Sequence, residues 1–182
     1  IWKDDSMLSW IVNIILAFVL VKFIIYPGIG LLLGTTHPVV AVVSGSMEHD
    51  GSFDQWWESQ KEWYTPREIS KEDFSNYRFK NGFNKGDIMF LKGVDIENVN
   101  VGDVIVFKGN LQDPIIHRTV KKYLEQGNTY VQTKGDHNAD INVGLNEDKI
   151  GKERIIGKAF FRIPLLGWVK ILAVDFVNIL RG

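Results

Sequence analysis

A nearly continuous apolar run near the start of the chain, Met7 to Tyr26, is the feature that most constrains the fold. Among its 20 residues the clearly polar ones are Ser9, Asn13 and Lys22. As a helix the run would span about 30 Å, the thickness of the hydrocarbon core of a bilayer. It is too long for a cleaved signal peptide, and no small-residue cleavage site follows it. We therefore predict a transmembrane helix, with a buried core helix as the alternative.

The residues around Tyr26 indicate where this span ends. Lys22 lies within about one turn of the end, where its amine can reach water. Tyr26-Pro27-Gly28 then combines an aromatic residue typical of membrane interfaces with a helix stop. Together with the short apolar stretch that follows, residues 7–33 form the predicted membrane anchor.

Residues 34–164 carry the pattern of a β domain. Short runs of β-branched and aromatic residues alternate with turns that contain glycine, and two runs begin with a Gly-Asp pair, at Gly86 and Gly102. This spacing predicts a mainly β protein, a coiled antiparallel domain joined to the N-terminal transmembrane helix. The predicted strands are 38–43, which is wholly apolar and expected to be buried, 86–91, 102–107, 114–120, 129–133 and 154–161.

Two segments depart from the β pattern. Residues 48–84 are polar and rich in aromatic residues, which predicts a surface insertion, and Ser70 to Asp73 resembles a capping box before a short helix. Residues 165–182 are apolar with one polar stripe, which predicts an amphipathic segment that lies on the membrane or on the sheet. Four aromatic side chains of the insertion would lie at a membrane interface or form a small satellite core: Trp56, Trp57, Trp63 and Tyr64.

Charge and composition exclude several classes of function. The net charge of −1 gives no basic surplus for binding nucleic acid. The chain has no cysteine, which excludes a thiol nucleophile and a cysteine-based zinc site. Asp136, His137 and Asp140 have no recognisable metal-ligand spacing, so we predict no metal and no cofactor.

Three polar positions are candidates for chemistry. Ser46 follows the first predicted strand on a Ser-Gly-Ser turn, which can project its hydroxyl away from the sheet and leave backbone N–H groups for an oxyanion. His117 lies in strand 114–120, and a neutral imidazole can accept the serine proton. Asp136 or Asp140, in the turn after strand 129–133, could orient His117 as the third member of a triad. Each residue alone also fits a purely structural role.

Together these segments resemble the type I signal peptidases, specifically the archaeal and endoplasmic-reticulum branch. The resemblance covers most of the chain from Val39 to Gly167, in the order of the family's motifs. The motifs are Ser-Gly-Ser-Met at 44–47, the Gly-Asp strands at 86–91 and 102–107, Ile-His-Arg at 116–118, Thr-Lys-Gly-Asp-His-Asn at 133–138, Gly-Lys-Ala at 157–159 and Pro-Leu-Leu-Gly at 164–167.

The resemblance implies a serine endopeptidase that cleaves signal peptides from secreted preproteins without a cofactor. It places Ser46 as nucleophile and His117 as general base, and it implies that the Ser46 N–H, with the Ser44 hydroxyl, stabilises the oxyanion. The substrate would bind as an extended strand with small side chains at its −1 and −3 positions. Three neighbours of the serine are candidate wall residues by adjacency: Val42, Val43 and Met47.

The resemblance also implies a cellular location. It predicts a single-pass protein of the cell membrane, in contact with lipid, whose catalytic domain lies outside the cytoplasm. The anchor would hold the site near the membrane surface, where the apolar segment of a preprotein is also held. The sequence does not identify accessory subunits.

Three features depart from the family pattern. His49 stands where the family usually has proline, and the insertion after Ser46 is longer than in eukaryotic relatives. The second family aspartate usually falls further after Gly135-Asp136 than Asp140 does. The triad acid is therefore open between Asp140, which we favour, and Asp136.

Two other functions fit parts of the pattern. A self-cleaving repressor-type serine protease shares the β architecture by resemblance. Such proteins are soluble, use lysine, and typically cut an Ala-Gly bond, whereas none of the alanines of this chain precedes glycine. A membrane-tethered β domain that only binds a partner would carry its serine and histidine incidentally.

Overall fold

The computed structural model describes residues 7–110 and 113–168. It contains an N-terminal helix of 27 residues, Met7–Leu33, and one six-stranded sheet, with two helices inserted after the first strand. The N-terminal helix is long and apolar enough to cross a membrane, judged by length and composition. Most of the predicted C-terminal amphipathic segment, residues 169–182, lies outside the described residues.

The N-terminal helix continues past its predicted stop at Pro27. It runs as α1 (Met7–Leu20), a π-helical turn (Val21–Ile25) and α2 (Tyr26–Leu33), and it ends at Gly34 in the left-handed conformation. Pro27 lies in the first turn of α2, where its missing N–H does little harm. The wider π turn directly before it lets the helix pass the proline ring without a break. The prediction of a stop at Tyr26-Pro27-Gly28 is therefore wrong.

Six strands form the sheet, and each predicted strand is present. Their bounds are β1 Val39–Ala41, β2 Ile88–Lys92, β3 Val104–Phe107, β4 Ile115–Glu125, β5 Asn128–Lys134 and β6 Ile155–Ile163. All pairings are antiparallel, in the order β1-β2-β6-β3-β4-β5, which confirms the mainly β class. β1 is shorter than predicted and half-buried, because it lies at an edge of the sheet.

The two Gly-Asp pairs start β2 and β3 with the same turn. Gly86 and Gly102 have φ angles of 92° and 93°, a conformation that glycine adopts without steric cost. The aspartates that follow, Asp87 and Asp103, each accept a hydrogen bond from the backbone N–H three residues earlier, at 3.0 and 2.9 Å. Each turn therefore fixes where its apolar strand enters the sheet.

β3 is buried on both faces because apolar clusters cover both sides of the sheet. Val104 and Val106 pack into one cluster, together with Met47. Ile105 and Phe107, the alternate residues, pack into the other. Burial of both faces explains why the sequence of β3 is a continuous apolar run rather than an alternating one.

The insertion, residues 48–84, carries α3 (Phe53–Tyr64) and α4 (Lys71–Asn76). Each helix begins with a capping box, at Ser52 and at Ser70, and the second confirms the prediction. The aromatic residues of the insertion pack with one another and with a β4 side chain as a satellite core. Trp56, Trp57 and Tyr64 are at most 4% exposed, which excludes them from a membrane interface.

Candidate active site

Ser46 lies on the loop that follows β1, and hydrogen bonds and buried neighbouring side chains fix the backbone of this loop. Val42 and Met47 are buried in the core, whereas Ser46 is half-buried. The Ser46 carbonyl accepts a 2.9 Å hydrogen bond from the N–H of His137, and the Met47 carbonyl accepts one of 3.0 Å from Phe83. The serine hydroxyl is thus presented by a fixed stretch of backbone.

His117, on β4, is the hydrogen-bond partner of this hydroxyl. Its Nε2 lies 2.9 Å from Ser46 Oγ, although the two residues are 71 positions apart. Its other ring nitrogen, Nδ1, contacts Glu147 Oε1. Because an ionised carboxylate only accepts, Nδ1 carries the proton and Nε2 is left to accept from the serine. In this arrangement an imidazole can take a proton from a serine hydroxyl.

Glu147 is held in place by contacts that do not depend on His117. Its side chain is fully buried. Oε2 accepts a 2.8 Å hydrogen bond from the N–H of Asn142, and Oε1 accepts one of 3.3 Å from the Thr133 hydroxyl. The Glu147 carbonyl also accepts from Thr133 N–H at 3.0 Å, which fixes the residue beside the end of β5. A carboxylate held in this way can orient the imidazole.

A cleft with a volume of about 490 Å³ opens at Ser46 and His117. The Ser44 hydroxyl faces it, with its oxygen 3.1 Å from Ser46 Oγ. The remaining walls are mostly apolar. They are formed by Ala41, Val43, Asp113, Pro114, Ile115, Ile116, Asn138 and Leu145. The cleft can therefore receive a peptide that places a carbonyl carbon next to Ser46.

Of the three predicted wall residues, only Val43 lines this cleft. It is 53% exposed, whereas Val42 and Met47 are 1% and 0% exposed and pack in the core. Successive residues of an extended chain face opposite sides, so Val42 points inward where Val43 points outward. Adjacency to the serine therefore did not identify the side chains that reach the cleft.

The two aspartates predicted to support His117 lie elsewhere. Asp136 is buried and accepts hydrogen bonds from Arg118, at 2.9 Å from Nε and 2.7 Å from Nη2, and it lies 3.0 Å from His49 Nε2. Asp140 is exposed and accepts from Trp63 Nε1 at 2.7 Å. Among residues 7–110 and 113–168, no group of three or more His, Asp or Glu side chains is placed to hold a metal ion.

Two charged groups, one at the end of β5 and one on the turn after it, have strongly shifted pKa values. Burial alone would raise the pKa of Asp136, but the charge of Arg118 and hydrogen bonds from His49 and Arg118 outweigh it and lower the pKa to about 2. Burial lowers the pKa of Lys134 to about 8, against the opposing charges of nearby carboxylates. Asp136 is therefore ionised at neutral pH, and Lys134 carries a charge that burial makes unfavourable.

No family model matches the chain. Curated relatives named signal peptidase complex catalytic subunit do match it. The protein of Neurospora crassa is 28% identical over 155 residues, which are 82% of this chain and 72% of the relative. The protein of Homo sapiens is 27% identical over 84% of this chain and 65% of its own length, and that of Scheffersomyces stipitis 29% over 88% and 80%.

Over most of its length the chain is similar to these catalytic subunits of signal peptidase complexes, which supports a type I signal peptidase of the endoplasmic-reticulum and archaeal branch. This confirms the resemblance that the motifs indicated. Glu147 is the candidate site residue that sequence reasoning missed. The one relevant signal was that the second family acid falls further along than Asp140 does. Glu147 meets His117 because the chain after β5 passes through a short 3-10 helix, Val143–Leu145, and returns beside Thr133.

Proposed function

We propose that this chain is a membrane-anchored serine endopeptidase that removes signal peptides from secreted preproteins. Ser46 is the nucleophile, His117 the general base, and Glu147 the residue that orients His117. The observation that carries the proposal is the 2.9 Å contact between Ser46 Oγ and His117 Nε2 at the cleft. The relatives, named as catalytic subunits of signal peptidase complexes, support the class of substrate.

Catalysis proceeds by acyl transfer in two stages. His117 takes the proton of Ser46 as Oγ attacks the scissile carbonyl carbon, which gives a tetrahedral oxyanion. The C–N bond then breaks, and His117 gives the proton to the leaving amine. In the second stage His117 takes a proton from water, the resulting hydroxide attacks the ester, and Ser46 Oγ leaves with the proton from His117. Glu147 stabilises the imidazolium that forms in each stage.

The oxyanion is stabilised by the Ser46 N–H and the Ser44 hydroxyl. The Ser44 oxygen lies 3.1 Å from Ser46 Oγ. Its proton can therefore reach the oxyanion on the substrate carbon that Ser46 Oγ attacks. In acyl-transfer sites one such donor contributes about 10²–10³-fold to the rate. Ser44→Ala would therefore lower activity without removing it.

The substrate binds in an extended conformation along β1. This strand lies at one end of the sheet order, so its outer edge has backbone groups with which a peptide can pair. Val43, directly after β1, is exposed at the cleft and can contact a small substrate side chain. Pairing along β1 would carry the scissile carbonyl to Ser46, which follows Val43 by three residues.

The N-terminal helix holds the site at the membrane. Its 27 residues, Met7–Leu33, extend about 40 Å at 1.5 Å per residue, more than the roughly 30 Å of a hydrocarbon core, so the helix tilts or one end leaves the lipid. A signal peptide is anchored in the same membrane, which raises its effective concentration at the site. We place the catalytic domain outside the cytoplasm of a single-pass protein of the cell membrane.

The test is to incubate the detergent-solubilised chain with a preprotein and to map the cut by mass spectrometry. The wild type should cut at the end of the signal peptide, and a serine-directed covalent probe should label Ser46. Ser46→Ala and His117→Ala should each lower cleavage by about 10³-fold or more. Ser75→Ala and His37→Gln, on α4 and before β1, serve as matched controls with wild-type rates. Full activity in either site variant would remove that residue from the mechanism.

A further inference from the structure

Several side chains of the insertion contact residues 134–137, which are the last residue of β5 and the turn that follows it, called here the 134–137 turn. His49 Nε2 lies 3.0 Å from Asp136 Oδ2, and Trp56 Nε1 donates to the Asp136 carbonyl at 3.2 Å. Two residues earlier, Lys134 Nζ donates to Gln60 Oε1 at 3.0 Å. The same amine lies 5.0 Å from the ring centres of both Trp63 and Tyr64. The insertion is therefore bound to this turn rather than resting loosely on the surface.

The 134–137 turn is in direct contact with the backbone of Ser46, the proposed nucleophile. The N–H of His137 donates to the Ser46 carbonyl at 2.9 Å. The N–H of Asp136 points to Met47 Sδ at 3.4 Å, a weaker contact with the next residue of the same loop. Any shift of Asp136 and His137 would therefore move Ser46 relative to His117.

His49 is held in one orientation between the insertion and the turn. Its ring stacks on Trp56, with centroids 3.8 Å apart and planes within 4° of each other. Its side chain is 2% exposed, and its Nδ1 is buried without a hydrogen-bond partner among the described residues. The groups that face the ring are Asp136, the Phe74 ring at 6.3 Å, and the Trp56 stack. The polar interaction that this buried ring makes is thus the one with Asp136.

We infer that His49 is a positioning residue, which ties the insertion to the 134–137 turn and so keeps Ser46 Oγ within reach of His117 Nε2. This inference rests on the proposed function. His49 acts through Asp136 and His137 and touches neither the substrate nor the reacting atoms. Loss of its hydrogen bond should therefore lower the reactivity of Ser46 and leave peptide binding in the cleft unchanged.

Three substitutions separate the hydrogen bond from the stacking. His49→Phe keeps a flat ring against Trp56 and removes the donor. His49→Gln places an amide nitrogen near the position of Nε2 and keeps the donor, whereas His49→Asn has a shorter side chain that does not reach Asp136 Oδ2. His37→Gln, at a half-buried position before β1, is the matched control. The Gln and Asn variants differ by one methylene, so they keep the test valid if the Phe variant does not fold.

The readouts are kcat and KM for preprotein cleavage and the rate at which a serine-directed probe labels Ser46. His49→Phe and His49→Asn should lower kcat and the labelling rate together by about tenfold or more, with KM within about twofold, because a misplacement of about 1 Å can cost 10²-fold. His49→Gln should restore both rates to within about threefold of wild type. Wild-type rates in the Phe and Asn variants, or equal losses in Gln and Asn, would overturn the inference.

The same assay distinguishes this result from a failure of the proposed function. If the function is wrong, the wild type itself is neither labelled at Ser46 nor able to cut the preprotein. If only the inference is wrong, the wild type is labelled and cuts, and the His49 variants show no difference that depends on the donor. Thermal unfolding of each variant, with all rates measured well below its midpoint, shows whether a lost rate reflects unfolded protein.

Discussion

Two buried histidine–carboxylate pairs flank the serine loop, and they differ in what faces the second ring nitrogen. In both pairs the histidine side chain is at most 4% exposed and the carboxylate is fully buried. His117 has Glu147 at Nδ1 and Ser46 at Nε2. His49 has Asp136 at Nε2, and its Nδ1 meets no hydrogen-bond partner in the described chain. Only the first pair has a hydroxyl from which it can take a proton.

The two carboxylates also differ in their other partners. Asp136 is paired with the guanidinium of Arg118, so its charge is already balanced in the folded protein. Glu147 accepts from the neutral donors Asn142 N–H and Thr133 Oγ1, and within the described residues no Lys or Arg forms an ion pair with it. In the proposed mechanism its charge is therefore available to the imidazolium that would form on His117. Which histidine can act as a base therefore depends both on a hydroxyl at its second ring nitrogen and on the other partners of its carboxylate.

The largest expected effect is on kcat, and it distinguishes substitution of Glu147 from substitution of Asp140, the aspartate predicted in its place. Glu147→Gln should lower kcat for preprotein cleavage by on the order of 10³–10⁴-fold, because the amide no longer fixes the tautomer of His117 or balances its charge. Asp140→Asn should stay within about twofold of wild type, since Asp140 is exposed and bonds to Trp63. Steady-state kinetics decide between them. A larger loss in Asp140→Asn than in Glu147→Gln would reverse the assignment.

The second largest expected effect is the loss of folding stability when the buried carboxylate of Asp136 is neutralised. Asp136→Asn leaves Arg118 buried without its counter-charge, which should cost about 3–5 kcal/mol in the free energy of unfolding at pH 7. The pKa of Asp136 is lowered in the folded protein, so its contribution is present above the ordinary aspartate range and is lost as pH falls toward 2. Urea unfolding in detergent should therefore show a gap between wild type and variant that narrows in acid. A constant gap would contradict the ionic origin.

The smallest expected effect concerns the stability contribution of Lys134, the last residue of β5, which interacts with the charges of both Asp136 and Glu147. Its pKa in the folded protein is about 8, below the ordinary 10.5, so the folded state binds fewer protons than the unfolded state at higher pH. Stability should rise between about pH 8 and 10.5 by on the order of 2–3 kcal/mol.

Lys134→Met is the variant that tests this sign. It should remove the alkaline rise, whereas Lys92→Met, at the exposed end of β2, should keep it. The measurement is the free energy of unfolding of all three proteins at pH 7.5, 9 and 10. A rise of equal size in Lys134→Met would mean that another group causes it.

Much of the fold was predictable because its signals are local. Runs of β-branched and aromatic residues located the six strands, and the Gly-Asp pairs located two of the turns. The capping box at Ser70 predicted α4, because the residues of that motif lie within one turn of each other. The helix stop at Pro27 was mispredicted because proline is tolerated in the first turn of a helix, and here the π turn directly before it lets the helix continue.

The site was predictable in part. Ser46 and His117 stand in motifs whose residues are adjacent in sequence, and the fold brings the two together. The wall residues were chosen by adjacency, which does not reveal side-chain direction, and Val42 and Met47 face the core. The aromatic residues of the insertion gave two equally good interpretations, because their burial depends on the sheet beneath them.

By itself the sequence determined the apolar N-terminal segment, the strands, the serine turn and the histidine strand, because each depends on the spacing and chemistry of neighbouring residues. Tertiary structure alone decided which carboxylate meets which histidine. Glu147 reaches His117 and Asp136 reaches His49 because of the path of the loop after β5 and the docking of the insertion. Contacts between distant residues depend on how whole elements pack, and residue spacing carries little information about that.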